Sequence, residues 1–216
     1  MMKKTHYYDL SLEKIKEIGK KDDKPRLLLH GCCAPCSCFP LLFLAPYFEI
    51  TIYYNNSNIY PFTEYEKRRD ELVRYLKLLK DNNNIDIPLI ETPYDEDYQS
   101  KLALLAQEPE GGKRCTLCYT LRMDEVYNHA HNNGFDYFCT VMTISRQKNS
   151  DLLNQIGSEL QLKYPNTKYF FSDFKKKDGL AKGREIVKET NMYCQVYCGC
   201  VYSYEDSLNR NKNDLD

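Results

Sequence analysis

The chain has 216 residues, 42% hydrophobic and 28% charged, and its 30 basic and 31 acidic side chains leave a net charge of −1. That is the make-up of a soluble globular protein of one large domain, or of one domain with an appended arm, and it excludes nucleic-acid binding by bulk positive field, so any RNA contact needs a local basic face. No apolar run approaches membrane-spanning length, and residues 1–14 put no apolar core behind their basic residues, so no signal peptide is read and the cytoplasm is expected.

Residues Ser11–Lys20 have apolar spacing near 3.6 with a serine cap, predicting a first helix. Arg26–His30 (RLLLH) is an apolar run that reads as a buried strand and stops at Gly31. Phe39–Tyr47 is predicted as a short helix beginning near Ser37–Pro40, and Glu49–Tyr54 (EITIYY) as the second strand. Asn55–Pro61 has turn chemistry, and Thr63–Lys80 is an amphipathic helix with Leu72, Leu76 and Leu79 inward. Ile85–Thr92 reads as a third strand, put at an edge by Pro88. Asp97–Gln107 and Cys115–Asn132 read as helices, Tyr137–Thr143 as a strand and Ser150–Leu162 as a helix. Lys168–Phe171 is a fifth strand and Gly183–Asn191 a last helix. The expected organisation is a single catalytic domain over 1–204 and a polar, frayed tail over 205–216.

Strands alternating with helices predict an α/β fold with a mostly parallel sheet and helices on both faces. Such sheets bind ligands at the carboxyl ends of their strands. The residues just past the strands are Cys32-Cys33, Asn55-Asn56, Ser145-Arg146 and Asp173, which would line one rim.

Ten cysteines in a reducing compartment are not expected to form five structural disulfides, and clustering points to metal or redox chemistry. Cys32, Cys33, Cys36 and Cys38 follow the first strand; Cys115-x-x-Cys118 opens a helix; Cys198-Gly199-Cys200 lies near the end. At i and i+3 the Cys115 and Cys118 thiols share a helix face, and a helix start favours their thiolates. With Cys32 and Cys33 they make four soft ligands, suited to zinc or to an iron–sulfur cluster. Adjacent cysteines fit a cubane, where each reaches a different iron, better than a zinc knuckle. Glycine between Cys198 and Cys200 permits a tight turn and an easily reduced disulfide, or else two further metal ligands. Cys36 is placed to bind a second metal beside the first. Cys139, inside a strand, reads as core packing, while Cys38 and Cys194 stand between packing and site periphery. His30 stands between core packing and a site role. Lys175-Lys176-Lys177, with Lys182 and Arg184, is either a solvated face or an RNA-backbone contact. Arg68 and Arg69 read as surface helix charges. The 19 tyrosines, beside no tryptophan, are filler or base-stacking platforms.

Six stretches carry a family resemblance: LLLHGCCAPCS (Leu27–Ser37), YYNNSNIYPFTEYEKR (Tyr53–Arg68), CTLCYTLRM (Cys115–Met123), GFDYFCTVMTIS (Gly134–Ser145), YFFSDF (Tyr169–Phe174) and YCQVYCGCVYS (Tyr193–Ser203). Together they resemble epoxyqueuosine reductases of the QueH type. The resemblance implies a nucleotide-hydrolase-like (HUP-like) three-layer α/β domain, similar to that of tRNA-thiolating enzymes, with its cysteine-rich metal site at the strand carboxyl edge. It implies the last step of queuosine synthesis, removal of the epoxide oxygen of epoxyqueuosine in the tRNA anticodon loop. It also implies a [4Fe-4S] cluster on Cys32, Cys33, Cys115 and Cys118, an adjacent mononuclear iron with Cys36 as a candidate ligand, and a redox-active pair at Cys198 and Cys200. The expected partners are tRNA and an external electron donor, with no membrane. Asp173 and Tyr197 are candidate proton donors by proximity. The chain departs from the family at Arg146, where Pro-Tyr is frequent, and near Cys194, where an arginine is frequent.

Two other readings compete. A sulfur-transferring tRNA enzyme on the same fold would need an ATP pyrophosphate loop after the first strand, where this chain has GCCAPCS. A zinc-stapled RNA-binding module without catalysis would use the same thiols and be colourless.

Overall fold

The Leu27-Leu28-Leu29 run forms the middle of the protein in the computed structural model, which describes residues 6–213. All three side chains have no solvent exposure, as a strand covered on both faces requires. The strand β1 (Arg26–His30) pairs in parallel with β2 (Glu49–Tyr54) on one side and with β4 (Tyr137–Thr140) on the other. β3 (Leu89–Glu91) and β5 (Lys168–Tyr169) complete a five-stranded, all-parallel sheet of order β3-β2-β1-β4-β5. β3 is the edge that Pro88 predicted. It is shorter than expected, because Pro88 has no amide to enter the ladder and offers only its carbonyl, to Ile52 N at 2.8 Å.

Alternation along the strands splits the core in two. Leu27, Leu29, Tyr137 and Cys139 pack on one face with α1 (Tyr7–Ile18), α2 (Ala34–Leu44), α3 (Phe62–Asn83) and α6 (Gly179–Glu189). Leu28 and Phe138 pack on the other with α4 (Lys113–Asn132) and α5 (Ser150–Lys163). The three-layer α/β architecture is the one expected. Cys139 is a fully buried packing residue, also as expected.

Several boundaries differ, each for a local reason. Ser11 does not cap α1, which already starts at Tyr7; its buried hydroxyl donates to the Tyr8 carbonyl at 2.6 Å. α2 starts at Ala34, several residues before the predicted Phe39. Pro35 sits in its first turn, where a missing N–H costs nothing, and the Ser37 hydroxyl donates to the Cys33 carbonyl at 2.8 Å. β4 stops at Thr140, whose hydroxyl accepts from Met142 N at 3.2 Å and opens a 3-10 turn over Val141–Ile144. The predicted helix at 97–107 is a 3-10 helix over Tyr98–Leu105. The last elements differ most. A seventh helix, α7 (Val201–Asn213), runs through most of the predicted frayed tail, and 214–216 lie outside the described residues. No helix among the described residues is long and apolar enough to cross a membrane.

The chain runs outward from β1 to β2 and β3, then returns beside β1 as β4. The order therefore reverses between β1 and β4, and the crevice past their carboxyl ends is the switch point where such sheets bind ligands.

Candidate metal centre

β1 delivers the chain to the switch point and Gly31 ends it there. A side chain at Gly31 would meet Ile52 Cγ2 at 2.9 Å, so the chain turns tightly against β2. Cys32 and Cys33 follow, and the first turn of α2 brings back Cys36. Their three sulfur atoms lie within 4.8 Å of one another, with Cys32 Sγ and Cys33 Sγ 3.8 Å apart. Cys33 is buried, and Cys32 and Cys36 are half-buried. Hydrogen bonds from Cys32 and Cys36 hold the Cys33 thiol well below the ordinary range, while the same contacts push Cys36 up. Gln195 Nε2 also donates to Cys33 Sγ, at 3.1 Å. Of the trio, Cys33 is thus the thiol favoured as thiolate, while Cys32, like Cys36, is pushed up.

The CxxC pair sits at the start of α4. Gly111 N donates to Cys115 Sγ at 3.2 Å, and the Tyr98 hydroxyl lies 3.7 Å from Cys118 Sγ. The expected thiolate preference of the helix start does not prevail: burial pushes both thiols up. These sulfurs stand outside the compact trio but face the same region. Cys115 packs in the core cluster that Cys32 joins, and repulsion from Cys198 and Cys200 helps to raise both thiols.

Arg122, one turn along α4 from Cys118, links the CxxC helix to β1. Its guanidinium donates to His30 Nε2 at 3.1 Å and to Asn56 Oδ1, while Asn56 Nδ2 donates to the Gly31 carbonyl at 2.9 Å. Because a guanidinium only donates, His30 Nε2 accepts, and Nδ1–H donates to Thr140 Oγ1 at 3.2 Å. Burial and Arg122 hold the His30 imidazole well below its usual pKa. His30 is therefore neutral and positions Arg122.

Arg68 does the same for the Cys-Gly-Cys turn. It was read as a surface charge, but it is 2% exposed. It donates to the carbonyls of Cys198 (2.9 Å) and Tyr197 (3.3 Å), and to Glu64 (2.8 Å). Tyr60 N donates to the Gly199 carbonyl at 2.7 Å. Gly199 has φ +148°, and a Cβ there would meet Asn58 Nδ2 at 3.2 Å and Ile59 Cγ1 at 3.3 Å. These two arginine networks border a cavity of about 90 Å³, whose lining does not include Cys115, Cys118 or Cys200. It is lined by Cys32, Cys33, Cys36 and Cys198, by the cations Arg68, Arg122 and Lys148, and by no carboxylate among the described residues. A soft-donor set in a cationic, acid-free crevice fits a thiolate-held metal or iron–sulfur group, whose ligands carry net negative charge. Two lining residues, Asn58 and Gln195, also keep buried side-chain oxygens without a partner.

A family model, epoxyqueuosine reductase QueH, matches residues 27–206. The chain belongs to the QueH family. It is 39% identical over 200 residues to "Epoxyqueuosine reductase QueH" of Staphylococcus epidermidis, covering 91% of this chain and 84% of that one. To the protein of the same name from Haemophilus influenzae it is 38% identical over 188 residues (86% and 74% covered). To that of Thermotoga maritima it is 29% identical over 180 residues (82% and 89% covered). Among solved structures, the U34-tRNA thiolase NcsA from Methanococcus maripaludis with its [4Fe-4S] cluster superposes with TM-score 0.50 at 14% identity, over 95% of this chain and 74% of that one. At that identity the likeness is one of fold.

In this QueH chain all ten cysteines are free thiols. Cys198 and Cys200 are half-buried, and Cys200 Sγ lies 3.5 Å from Ser203 Oγ. Asn56 and Ser145 line the sulfur cavity as the rim predicted, while Arg146 is exposed and does not. Asp173 lies elsewhere. It accepts from Ser150 Oγ at 3.1 Å, stands 3.7 Å from Lys175 Nζ and lines a second cavity of about 550 Å³ with Lys175, Lys176 and Lys177. Tyr197 lines the sulfur cavity, but its hydroxyl donates to the Tyr60 carbonyl at 2.5 Å. Sequence reasoning missed Lys148 and Gln195, and it gave Arg122, one turn from Cys118, only as local positive charge beside the CxxC pair.

Proposed function

We propose that this chain reduces epoxyqueuosine to queuosine in tRNA, the last step of queuosine formation. The observation that carries the reading is the family match together with three converging thiols at the switch point of the sheet. Cys32, Cys33, Cys115 and Cys118 would hold a [4Fe-4S] cluster, with Cys36 as a ligand for an adjacent iron. When bound, the cluster supplies single-electron transfer and Lewis-acidic iron.

The reaction breaks both C–O bonds of the epoxide, forms a C=C bond and releases the oxygen as water. It consumes two electrons and two protons. Cys198 and Cys200, passing from two thiols to one disulfide, release two electrons and two protons, so one turn of the pair balances one epoxide. An external donor then reduces the disulfide for the next round. Arg68 keeps the turn against α3 while the sulfurs change partners. Arg122 and Lys148 offset the negative charge gathered on the thiolates. Exclusion of carboxylates from the cavity lining keeps that charge from being opposed by a fixed anion.

The test is anaerobic reconstitution with iron and sulfide, followed by turnover of epoxyqueuosine-bearing tRNA by the parent and by six single cysteine-to-alanine variants. Expected are loss of bound iron in C32A, C33A, C115A and C118A, and retained iron with at most a single turnover in C198A and C200A. A brown, loaded protein that leaves the epoxide intact refutes the reading.

A further inference from the structure

Lys148 has no role in the sequence motifs, yet it occupies a singular place. It follows β4 across the switch point from β1 and lines both the sulfur cavity and the larger cavity that Asp173 lines. Its loop is fixed from below: Lys175 Nζ donates to the carbonyls of Thr143 (3.0 Å), Ser145 (3.4 Å) and Lys148 itself (3.2 Å), and to Ser150 Oγ. From above, the Asn149 side chain caps α5, accepting from Asp151 N at 2.9 Å. The backbone that presents Lys148 is therefore held at both ends.

The side chain is 9% exposed. Among the described residues its ammonium makes no ion pair and no hydrogen bond. A cation at a cavity wall with no protein partner is free to meet a ligand or counter-charge there. Lys148 shares the cavity lining with Cys32, Cys33, Cys36 and Cys198. Several other donors of the cavity already have partners. Arg68 is spent on Glu64 and two carbonyls, Arg122 on His30 and Asn56, Gln195 on Cys33 and the Tyr197 hydroxyl on Tyr60. Of the three cations lining the cavity, Lys148 alone makes neither a hydrogen bond nor an ion pair among the described residues.

Resting on the functional reading above, we propose that Lys148 donates a hydrogen bond from its ammonium to the epoxide oxygen of the bound substrate. When the first C–O bond breaks, that oxygen takes up negative charge, and a fixed cation in a dry crevice stabilises it more there than in the intact epoxide. The lysine does not supply the electrons, which come from the dithiol and its external reductant.

The variants are K148Q, K148M and K148R, each reconstituted with iron and sulfide. Two quantities are read: the single-turnover rate on epoxyqueuosine tRNA, and the ratio of Kd values for epoxyqueuosine tRNA and queuosine tRNA measured without reductant. Loss of one such donor lowers the rate by about 10²–10³-fold, and K148Q and K148M should show that loss with parental iron content. K148R, which keeps charge and N–H groups, should recover at least about a tenth of the parental rate. The parental protein should prefer the epoxide tRNA by about tenfold, and K148Q should bind both tRNAs alike. K148Q within about threefold of the parent overturns the assignment, as does loss of iron in K148Q and K148R together, which would make the lysine a support for the metal site. If the loaded parent itself fails to reduce the epoxide, the functional reading falls; if the parent works and K148Q keeps pace, only the lysine assignment falls.

Discussion

Replacing Arg68 by methionine tests whether the Cys-Gly-Cys turn is held in place by a single buried side chain. Arg68 makes two charge-assisted bonds to the Cys198 and Tyr197 carbonyls, and its guanidinium lies 4.9 Å from the centre of the Tyr197 ring. Methionine keeps much of the volume but removes every donor and leaves Glu64, 12% exposed, without its cation. Removing one partner of a buried ion pair costs about 3–5 kcal/mol. The Tyr193 hydroxyl still donates to Glu64 at 3.0 Å, which places the loss toward the lower half of that range. For a chain of this size, about 2–4 °C per kcal/mol gives a fall in Tm of roughly 6–16 °C. The damage should be local as well: Cys198 and Cys200 should react with a thiol reagent faster in R68M than in the parent, while buried Cys139 should not change. R68K keeps the charge without the planar fork and should recover less than half of the loss. Thermal unfolding and timed labelling followed by mass spectrometry read both effects. A Tm within about 2 °C of the parent, with unchanged labelling of Cys198, would show that the turn does not depend on Arg68.

Asn56→Ala strips the Gly31 carbonyl and Arg122 of a shared partner and should cost about 2–3 kcal/mol, read as a lower urea midpoint with an unchanged slope. Gly199→Ala forces a side chain into positive φ beside Asn58 and Ile59 and should cost about 1–3 kcal/mol in thermal unfolding while iron binding by the other segments persists. Asp173→Asn should leave single-turnover reduction within about threefold of the parent, because the carboxylate lines the second cavity; a hundredfold loss would restore it as a proton donor.

How much of this could be read from the chain follows from how far each interaction reaches. β1 was visible because burial on both faces demands an unbroken apolar run. The Cys32–Cys33–Cys36 trio was visible because thiols clustered in sequence converge cheaply in space. Arg68 was not: four residues from Glu64 on an amphipathic helix, it has the pattern of an exposed pair, and its decisive partners are carbonyls 129 and 130 positions away. Lys148 was hidden for the opposite reason. It lies in a polar stretch, Ser145–Ser150, and only the reversal of strand order between β1 and β4 carries that stretch over the thiols. The start of α2 was placed several residues late: Pro35 already sits in its first turn, and Pro40 is tolerated inside the helix.

The way the Cys198–Cys200 turn is tethered bears on how it could work. The contacts that fix it grip mostly main chain: Arg68 takes the carbonyl of Cys198, Tyr60 that of Gly199, and the Gly199 amide reaches Ser203 Oγ at 3.1 Å. Of the sulfur atoms only Cys200 Sγ has a hydrogen-bond contact among the described residues, a long one of 3.5 Å to Ser203 Oγ, so both can rotate about their own side-chain bonds. Gain or loss of electrons there need not remodel the backbone, so amide exchange at Tyr197–Cys200 should be nearly the same before and after oxidation. The segment would behave as a fixed mount carrying two movable contacts.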